Sequence, residues 1–381
     1  RLGEQTMFES LVQGYALNTA PSTVIPVGVS IEEAKKTYHL EHVDKLASNE
    51  NPFGVSPKAQ AAMTEALQSA HLYPDSTRDT LLKQMLSEKH GLRPDQIMLT
   101  CGAANALAFA GEVFLRPGTE CIIPSPAYPP YYYIAFKSGA EIVDVPCRPD
   151  TMELDSAAIL AAVTEKTRMI FLCNPHNPTS TALSGAKLLE LVEKLPEHVI
   201  AVVDEAYIDF AADAPDTTMV PHLEKHPNMI VIQTFSKLYG LAGVRLGYAM
   251  ACPEIIRYLS KTQAARSMST IAIEGGIAAL QDEAFRRKTV ENNAEQRLRL
   301  TQELRQMGFR VCDSQANFLY VDFHMKPGDL YFALLPYGIM VRGDFSMVRI
   351  SIGTPEQNSR LLDAVRDLIA KGALSARYSQ E

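Results

Sequence analysis

The 381-residue chain lacks a close cysteine pair, a dinucleotide-binding glycine signature and a long apolar run, and each absence removes a class of function. Its six cysteines stand apart at positions 101, 121, 147, 173, 252 and 312, with no CxxC spacing. Neither a zinc cluster nor a disulfide framework is indicated, which points to a reducing, cytoplasmic compartment. Cys121, Cys147, Cys173 and Cys312 lie in or beside apolar strand-like runs, where a thiol behaves as a small hydrophobe. No apolar segment reaches the roughly 18 residues of a membrane span. The GxGxxG turn of a nicotinamide or flavin site is missing, as is HExxH. His222 and His226 fall four apart in PHLEKHP, as on a solvated helix end, and no His/Cys/Asp cluster points to a metal. Positive charge is also short: 36 Lys and Arg against 44 Asp and Glu leave a net −8, which argues against a nucleic-acid surface. There is no internal repeat and no low-complexity tract. The chain opens on Arg1, so a processed start stays open.

What is present suits an ordinary globular protein, with 46% hydrophobic and 21% charged residues and a length sufficient for two cores. Residues 1–44 read as an irregular arm, rich in proline and small residues, ending in a short helix in SIEEAKKTYHL with Ser30 as cap. SPKAQAAMTEALQSA reads as a helix capped by Ser56 with Pro57 at its first position, and TLLKQMLSEKH as a helix ended by Gly91. From residue 97 the period changes. IMLT, CIIPSP, EIVDVP, MIFLCNP, VIAVVDEAY and MIVIQTFSK are short apolar runs separated by helical patterns, the signature of a mainly parallel sheet covered on both faces. STIAIEGGIAALQDEAFRRKTV and the helix after it carry the chain into a second unit, where FRVCD, NFLYVDF, GIMVRG and MVRISIG read as strands among helices. The expected organisation is 1–44 as arm and part of the small unit, 45–265 as a large α/β domain, and 266–381 as a small α+β domain.

The chain is organised around VIQTFSKLYGLAGVRLG, residues 231–247. A lysine just beyond a strand-like run, with Thr234, Ser236 and Arg245 beside it, suits an amine nucleophile next to an anion site. Gly102-Ala103-Ala104-Asn105 starts a helix after IMLT and exposes backbone N–H groups of the kind that bind phosphate, although a plain helix start reads the same way. Asn174-Pro175-His176-Asn177-Pro178-Thr179 follows MIFLC, either as a tight turn or as a frame that presents asparagine side chains. Asp204 ends an almost wholly apolar strand in VVDEAY, where a carboxylate needs a partner. A lysine amine, an anion cradle, an asparagine, a buried-strand aspartate and a nearby tyrosine are together the needs of pyridoxal 5′-phosphate.

LASNENPFG, YPD, PSPAYPPYY, NPHNPTS, VVDEAYIDF, TFSKLYGLAGVRLGY and VRISIG together resemble the fold-type-I, aspartate-aminotransferase-like enzymes, and within them the histidinol-phosphate aminotransferase family. The resemblance runs from about residue 30 to the C-terminus. It implies a three-layer α/β/α large domain that binds the cofactor, plus a smaller α+β domain. It also implies roles. Lys237 would hold the cofactor and move the proton, and Asp204 would pair with the pyridinium nitrogen. Tyr207 and Asn177 would hydrogen-bond the ring hydroxyl, and Tyr128 would stack on the ring. Ala103 and Ala104, with Thr234, Ser236 and Arg245, resemble the phosphate clamp. Tyr73 of YPD would reach the neighbouring subunit's cofactor, so the resemblance implies a homodimer. Arg349 would take a substrate anion, with Arg342 and Asn51 on the substrate side; without the resemblance, a strand arginine in a salt bridge is the alternative reading of Arg349.

The implied activity is transamination between a small-molecule amino donor and a 2-oxo acid such as 2-oxoglutarate, with no nucleic-acid or membrane partner. The alternative is amino-acid decarboxylation of the threonine-phosphate decarboxylase type, which uses the same Lys/Asp pair. A regulator with an aminotransferase-like effector domain would need a helix-turn-helix pattern, which the first 44 residues do not hold. Departures from the family bear on the donor. The arm reads NTAPSTVIP without the usual Pro-Tyr pair, with Tyr15 as a substitute, and NPHNPTS carries histidine and serine where asparagine and glycine are common. Histidinol phosphate, an aromatic amino acid and a related amino acid all stay open as donor.

Overall fold

The computed structural model describes residues 29–375; Tyr15 and the rest of the arm before residue 29 lie outside them. The caps read from sequence form as expected. Ser30 Oγ accepts from Glu33 N at 3.1 Å to start the helix Ile31–Tyr38, and Ser56 starts Pro57–Ala66. Gly91, at φ +65°, ends Ser76–His90, a helix that begins at the Asp75 cap, earlier than the apolar pattern suggested.

After the two-residue strand β1 (Asp44–Lys45) the chain builds the strands of its main sheet: β2 (Ile97–Thr100), β3 (Glu120–Ser125), β4 (Glu141–Pro146), β5 (Thr167–Cys173), β6 (Ile200–Asp204), β7 (Met229–Thr234) and β8 (Gly247–Ala251). Their order is β2-β8-β7-β6-β5-β3-β4. Only β8 runs against its neighbours, because the loop after β7 turns straight back instead of crossing over through a helix. All other neighbours pair in parallel. Successive side chains point to opposite faces. Ile170, Leu172, Ala201, Val203, Met229 and Val231 pack into one core with helices Pro57–Ala66, Ser76–His90 and Gly185–Glu193. Met169, Phe171, Val202, Ile230 and Ile232 enter the other, against Ala103–Phe114, Pro129–Lys137 and Pro253–Leu259. Both faces are covered, which explains why these strands read as apolar runs without alternation.

A separate core gathers Ala34 and Leu46 with Leu300, Phe309, Leu319, Val348, Leu361 and Val365. It encloses the antiparallel sheet of β9 (Arg310–Val311), β10 (Phe318–Asp322) and β12 (Val348–Ser351), while β11 (Ile339–Met340) pairs in parallel with β1. β11 lies in the run GIMVRG that reads as a strand, but its partner β1 is invisible in the sequence because two residues leave no period. The expected boundary at residue 265 also needs moving. Helix Thr270–Leu280 places Ala272, Ile273, Ile277 and Ala279 in the core of the large sheet, so the chain crosses to the second core through Glu283–Gln306. Gly275 and Gly276 allow this, since Met63 and Leu246 stand where their Cβ atoms would be. Among the described residues no helix is long and apolar enough to cross a membrane.

Candidate active site

A cavity of about 280 Å³ opens where β5, β6 and β7 end, the edge at which parallel sheets present their ligand-binding loops. Ala103, Ala104, Tyr128, Asn177, Asp204 and Tyr207 line it, and so do Thr234, Ser236, Lys237, Arg245, Arg342 and Arg349. The structure thus brings together residues spread over most of the described chain.

Lys237 stands on the return loop between β7 and β8, which closes on itself through Phe235 N to Leu246 O (3.0 Å) and Leu241 N to Phe235 O (3.1 Å). Gly240, at φ +68°, has the Gly54 carbonyl where a side chain would start, so only glycine fits this turn. Lys237 Nζ donates to Ser48 O at 3.1 Å. Burial, reinforced by the nearby Arg349 and Arg245 guanidinium groups and opposed by Glu50 and Asp204, brings its amine down to about 7. About half of such an amine is unprotonated near neutral pH and able to act as a nucleophile or base.

Asn51 does not face the cavity. Its side-chain amide donates to the carbonyls of Leu238 (2.9 Å) and Lys237 (3.3 Å), so it holds the lysine loop from behind instead of meeting substrate. Tyr73 also stands elsewhere: it is 79% exposed, with the Arg266 guanidinium 5.2 Å from its ring centre.

Asp204 lies on the same face as Cys173, with which it is in register. Its Oδ2 accepts from the Tyr131 hydroxyl at 2.6 Å and its Oδ1 from Ala206 N at 3.0 Å. Burial pushes this carboxyl up, against the pull of Tyr131, Ala206 and Lys237. The Tyr207 hydroxyl accepts from Asn49 Nδ2 at 3.2 Å and Asn177 Nδ2 at 3.3 Å, and burial keeps it a phenol. Sequence reasoning missed both Tyr131 and Asn49. The positive φ of Asn49 (55°) and the Ser351 hydroxyl on its Oδ1 (3.0 Å) turn it toward Tyr207.

Ala103 and Ala104 open the helix Ala103–Phe114 toward the cavity, and the Arg245 guanidinium lies over this start. A Cβ on Gly102 (φ +82°) would come within 2.5 Å of Arg245 Nη2, and one on Gly247 within 2.6 Å of Ala103 N. These glycines leave the helix start open to an anion, in reach of an arginine and the hydroxyls of Thr234 and Ser236.

Arg349 sits in β12 with Nη1 donating to Asn177 Oδ1 (2.7 Å) and Nη2 to Ala47 O (2.8 Å). Its buried Nε has no hydrogen-bond partner, and among the described residues no carboxylate reaches it as an ion pair. It is therefore not a strand arginine in a salt bridge. Arg342 differs: Asp344 clasps it from two oxygens, at 2.6 and 2.7 Å. In NPHNPTS, Asn174 ties both its amide groups to Leu183, and His176 lies buried with Nε2 at 2.8 Å from Pro126 O. Among the described residues no group of three or more His, Cys, Asp or Glu is placed to hold a metal.

The family model for aminotransferase class I and II matches residues 41–365, and the chain belongs to that family: it is a pyridoxal-phosphate-dependent aminotransferase of fold type I. Its similarity narrows further. It is 36% identical over 354 residues to histidinol-phosphate aminotransferase of Geobacillus sp. (strain WCH70), which covers 91% of this chain and 96% of that relative. To histidinol-phosphate aminotransferase 2 of Carboxydothermus hydrogenoformans it is 37% identical over 348 residues, covering 89% and 94%. Among solved structures, histidinol-phosphate aminotransferase from Sinorhizobium meliloti in complex with pyridoxal-5′-phosphate superposes at a TM-score of 0.82 and 26% identity, over 93% of this chain and 99% of that one. Aspartate aminotransferase from Thermus thermophilus with maleate shares the fold, at a TM-score of 0.81 and 22% identity, over 93% and 98% of the two chains. The comparisons give the decarboxylase alternative no support.

Proposed function

We propose that this aminotransferase takes the amino group of histidinol phosphate, in preference to aromatic or related amino acids, and passes it to a 2-oxo acid such as 2-oxoglutarate. The observation that carries the reading is Arg349. It is a buried guanidinium across the cavity from Lys237 with an unpartnered Nε and no ionic partner, and an anion on the substrate completes it. Both proposed substrates bring one: a phosphate on the donor, a carboxylate on the acceptor. The similarity to named histidinol-phosphate aminotransferases supports the choice of donor.

The residues fit the cofactor. The glycine-opened helix start at Ala103 and Ala104, with Thr234, Ser236 and Arg245, suits its phosphate, and the buried Asp204 carboxylate suits a protonated ring nitrogen. Tyr207 and Asn177 suit the ring hydroxyl, and Tyr128 the ring face. When bound, the cofactor supplies an aldehyde carbon and a ring that accepts the electron pair left at Cα. The side chains do the remainder. Lys237 Nζ would take the proton from the donor's Cα and hold it for return, as its lowered proton affinity permits. Asp204 holds its charge against the ring nitrogen. Arg349 fixes the substrate's orientation over the ring, which selects the bond to break. We place Tyr73 at a homodimer contact, where its exposed ring serves a neighbouring site, and the enzyme in the cytoplasm, which six free thiols fit.

The test is a spectral screen of the cofactor-loaded protein for conversion of the pyridoxal to the pyridoxamine form. Histidinol phosphate is expected to convert it at least about tenfold more efficiently than phenylalanine or tyrosine. The reverse order overturns the donor. Lys237→Ala is expected to lose both turnover and the visible band of lysine-bound cofactor, and persistence of both overturns the role of Lys237.

A further inference from the structure

The run Tyr131-Tyr132-Tyr133 follows the cavity tyrosine Tyr128 by one helical turn, yet its members have different fates. Tyr132 reaches out to Asp144 at 2.8 Å, on the exposed side. Tyr131 turns inward and is 1% exposed. Its ring stacks on Phe171 at 4.4 Å and 10° and meets the edge of Tyr128 at 5.5 Å and 85°. The backbone bond from Tyr131 N to Tyr128 O (3.0 Å) fixes the two residues as one turn. With the ring clamped in this way, the hydroxyl has little freedom, and it donates to Asp204 Oδ2 at 2.6 Å.

We infer that Tyr131 is a positioning residue for the transamination: acting through Asp204, it fixes the direction of that carboxylate and keeps it charged toward the cofactor's ring nitrogen. The inference rests on the reading of Asp204 as the partner of that nitrogen. A donor bonded to a carboxylate favours its ionised form, and a carboxylate buried in an apolar layer needs such help. The groups that face Asp204 are Tyr128 and Tyr131 from one side, Cys173 on the adjoining β5, and Lys237 after β7. Burial pushes the Tyr131 phenol and the Cys173 thiol far up, so both stay neutral and neither competes for the charge. Tyr131 and the Ala206 N–H are the hydrogen-bond donors to the Asp204 carboxylate among the described residues, one on each oxygen. The turn that supplies Tyr128 to the cavity thus also supplies the donor that holds the carboxylate.

Tyr131→Phe removes one oxygen and keeps the ring stack. The expected result on cofactor-loaded protein is a roughly tenfold to hundredfold loss in kcat with KM within about threefold, the scale of a lost bond to a charged group. The acid limb of the kcat/KM profile moves to higher pH, because Asp204 takes up a proton more readily. The cofactor's dissociation constant, read by spectral titration of the apoprotein, rises about tenfold. Phe171→Leu, which loosens the ring but leaves the hydroxyl, shifts each readout the same way by less. In an Asp204→Asn background Tyr131→Phe adds little further loss, since the two act as one unit. An unchanged pH profile and cofactor affinity in Tyr131→Phe, or additive losses in the double variant, overturn the inference. If Asp204→Asn itself leaves rate and affinity intact, the reading of Asp204 falls and this inference falls with it; if Asp204→Asn is impaired and Tyr131→Phe is not, the inference alone falls.

Discussion

Asp204 and Glu205 are neighbours in the chain, equally buried, and opposite in use. β6 ends between the two faces of the sheet, so one carboxylate turns to each. Asp204 looks into the cavity, with Tyr131 on one oxygen and Ala206 N on the other. Glu205 looks the other way into a sealed polar cluster, where Met219 N (2.6 Å), Thr218 Oγ1 (2.8 Å) and Gln233 Nε2 (2.8 Å) all donate to it. Burial brings Glu205 up to about 7 even against those three donors. One carboxylate is thus left open to a partner from outside, while the other pins the Thr218–Met219 segment to the sheet. Burial and a perturbed proton affinity do not by themselves mark a functional carboxylate; what separates these two is whether a cavity lies in front of the group.

The sharpest break between them is in activity. Asp204→Asn is expected to lower kcat on the order of a hundredfold or more, as removal of a fixed charge at a reacting centre does. Glu205→Gln is expected to stay within about threefold. Steady-state kinetics on cofactor-loaded protein checks both, and equal losses would erase the distinction between the two faces.

A second, smaller contrast is in stability against pH. The folded Glu205 titrates near 7, above its ordinary value of 4.5, so the folded state keeps a proton that the unfolded chain has lost. Stability from this group is full below about pH 4.5, falls as pH rises toward 7, and is level above. A shift of that size corresponds to about 3 kcal/mol. Urea unfolding of the apoprotein between pH 5 and pH 8 is expected to show that fall, and Glu205→Gln is expected to flatten it.

Much of this was legible in the chain itself, but unevenly. Lys237 and Asp204 could be found because each is a charged residue at or just beyond the end of an apolar run, a placement that needs a reason, whereas Arg349, inside a strand, was marked by the family resemblance. The glycines of the 231–247 loop were legible for the same kind of reason. Tyr131 was not, because its contact with Asp204 spans 73 positions and nothing local distinguishes it from the next two tyrosines. Asn49 and Asn51 lie in one motif, but only backbone geometry decides that the first reaches Tyr207 and the second braces the lysine loop. Helix Thr270–Leu280 is apolar around most of its surface, Glu274 apart, so its pattern could not say which core it joins.

The finest contrast pairs two phenols, one on each face. Tyr131 donates to Asp204, whereas Tyr248 donates to Gln233 Oε1 at 2.6 Å, and Gln233 in turn donates to Glu205. Both tyrosines are buried, and burial raises both well above the ordinary phenol range. His90 Nε2 closes the far chain at 3.0 Å from the Tyr248 hydroxyl, and burial holds that imidazole neutral by bringing it down to about 3. Tyr248→Phe therefore leaves a buried Gln233 oxygen unpaired without touching any group that faces the cavity. Its expected effect is a loss of about 1–2 kcal/mol in unfolding free energy, with cofactor affinity and the kcat/KM pH profile unmoved. Chemical unfolding and spectral titration together check this. A shifted pH profile in Tyr248→Phe would mean that the far network reaches through the sheet to Asp204, and that the two faces are not independent.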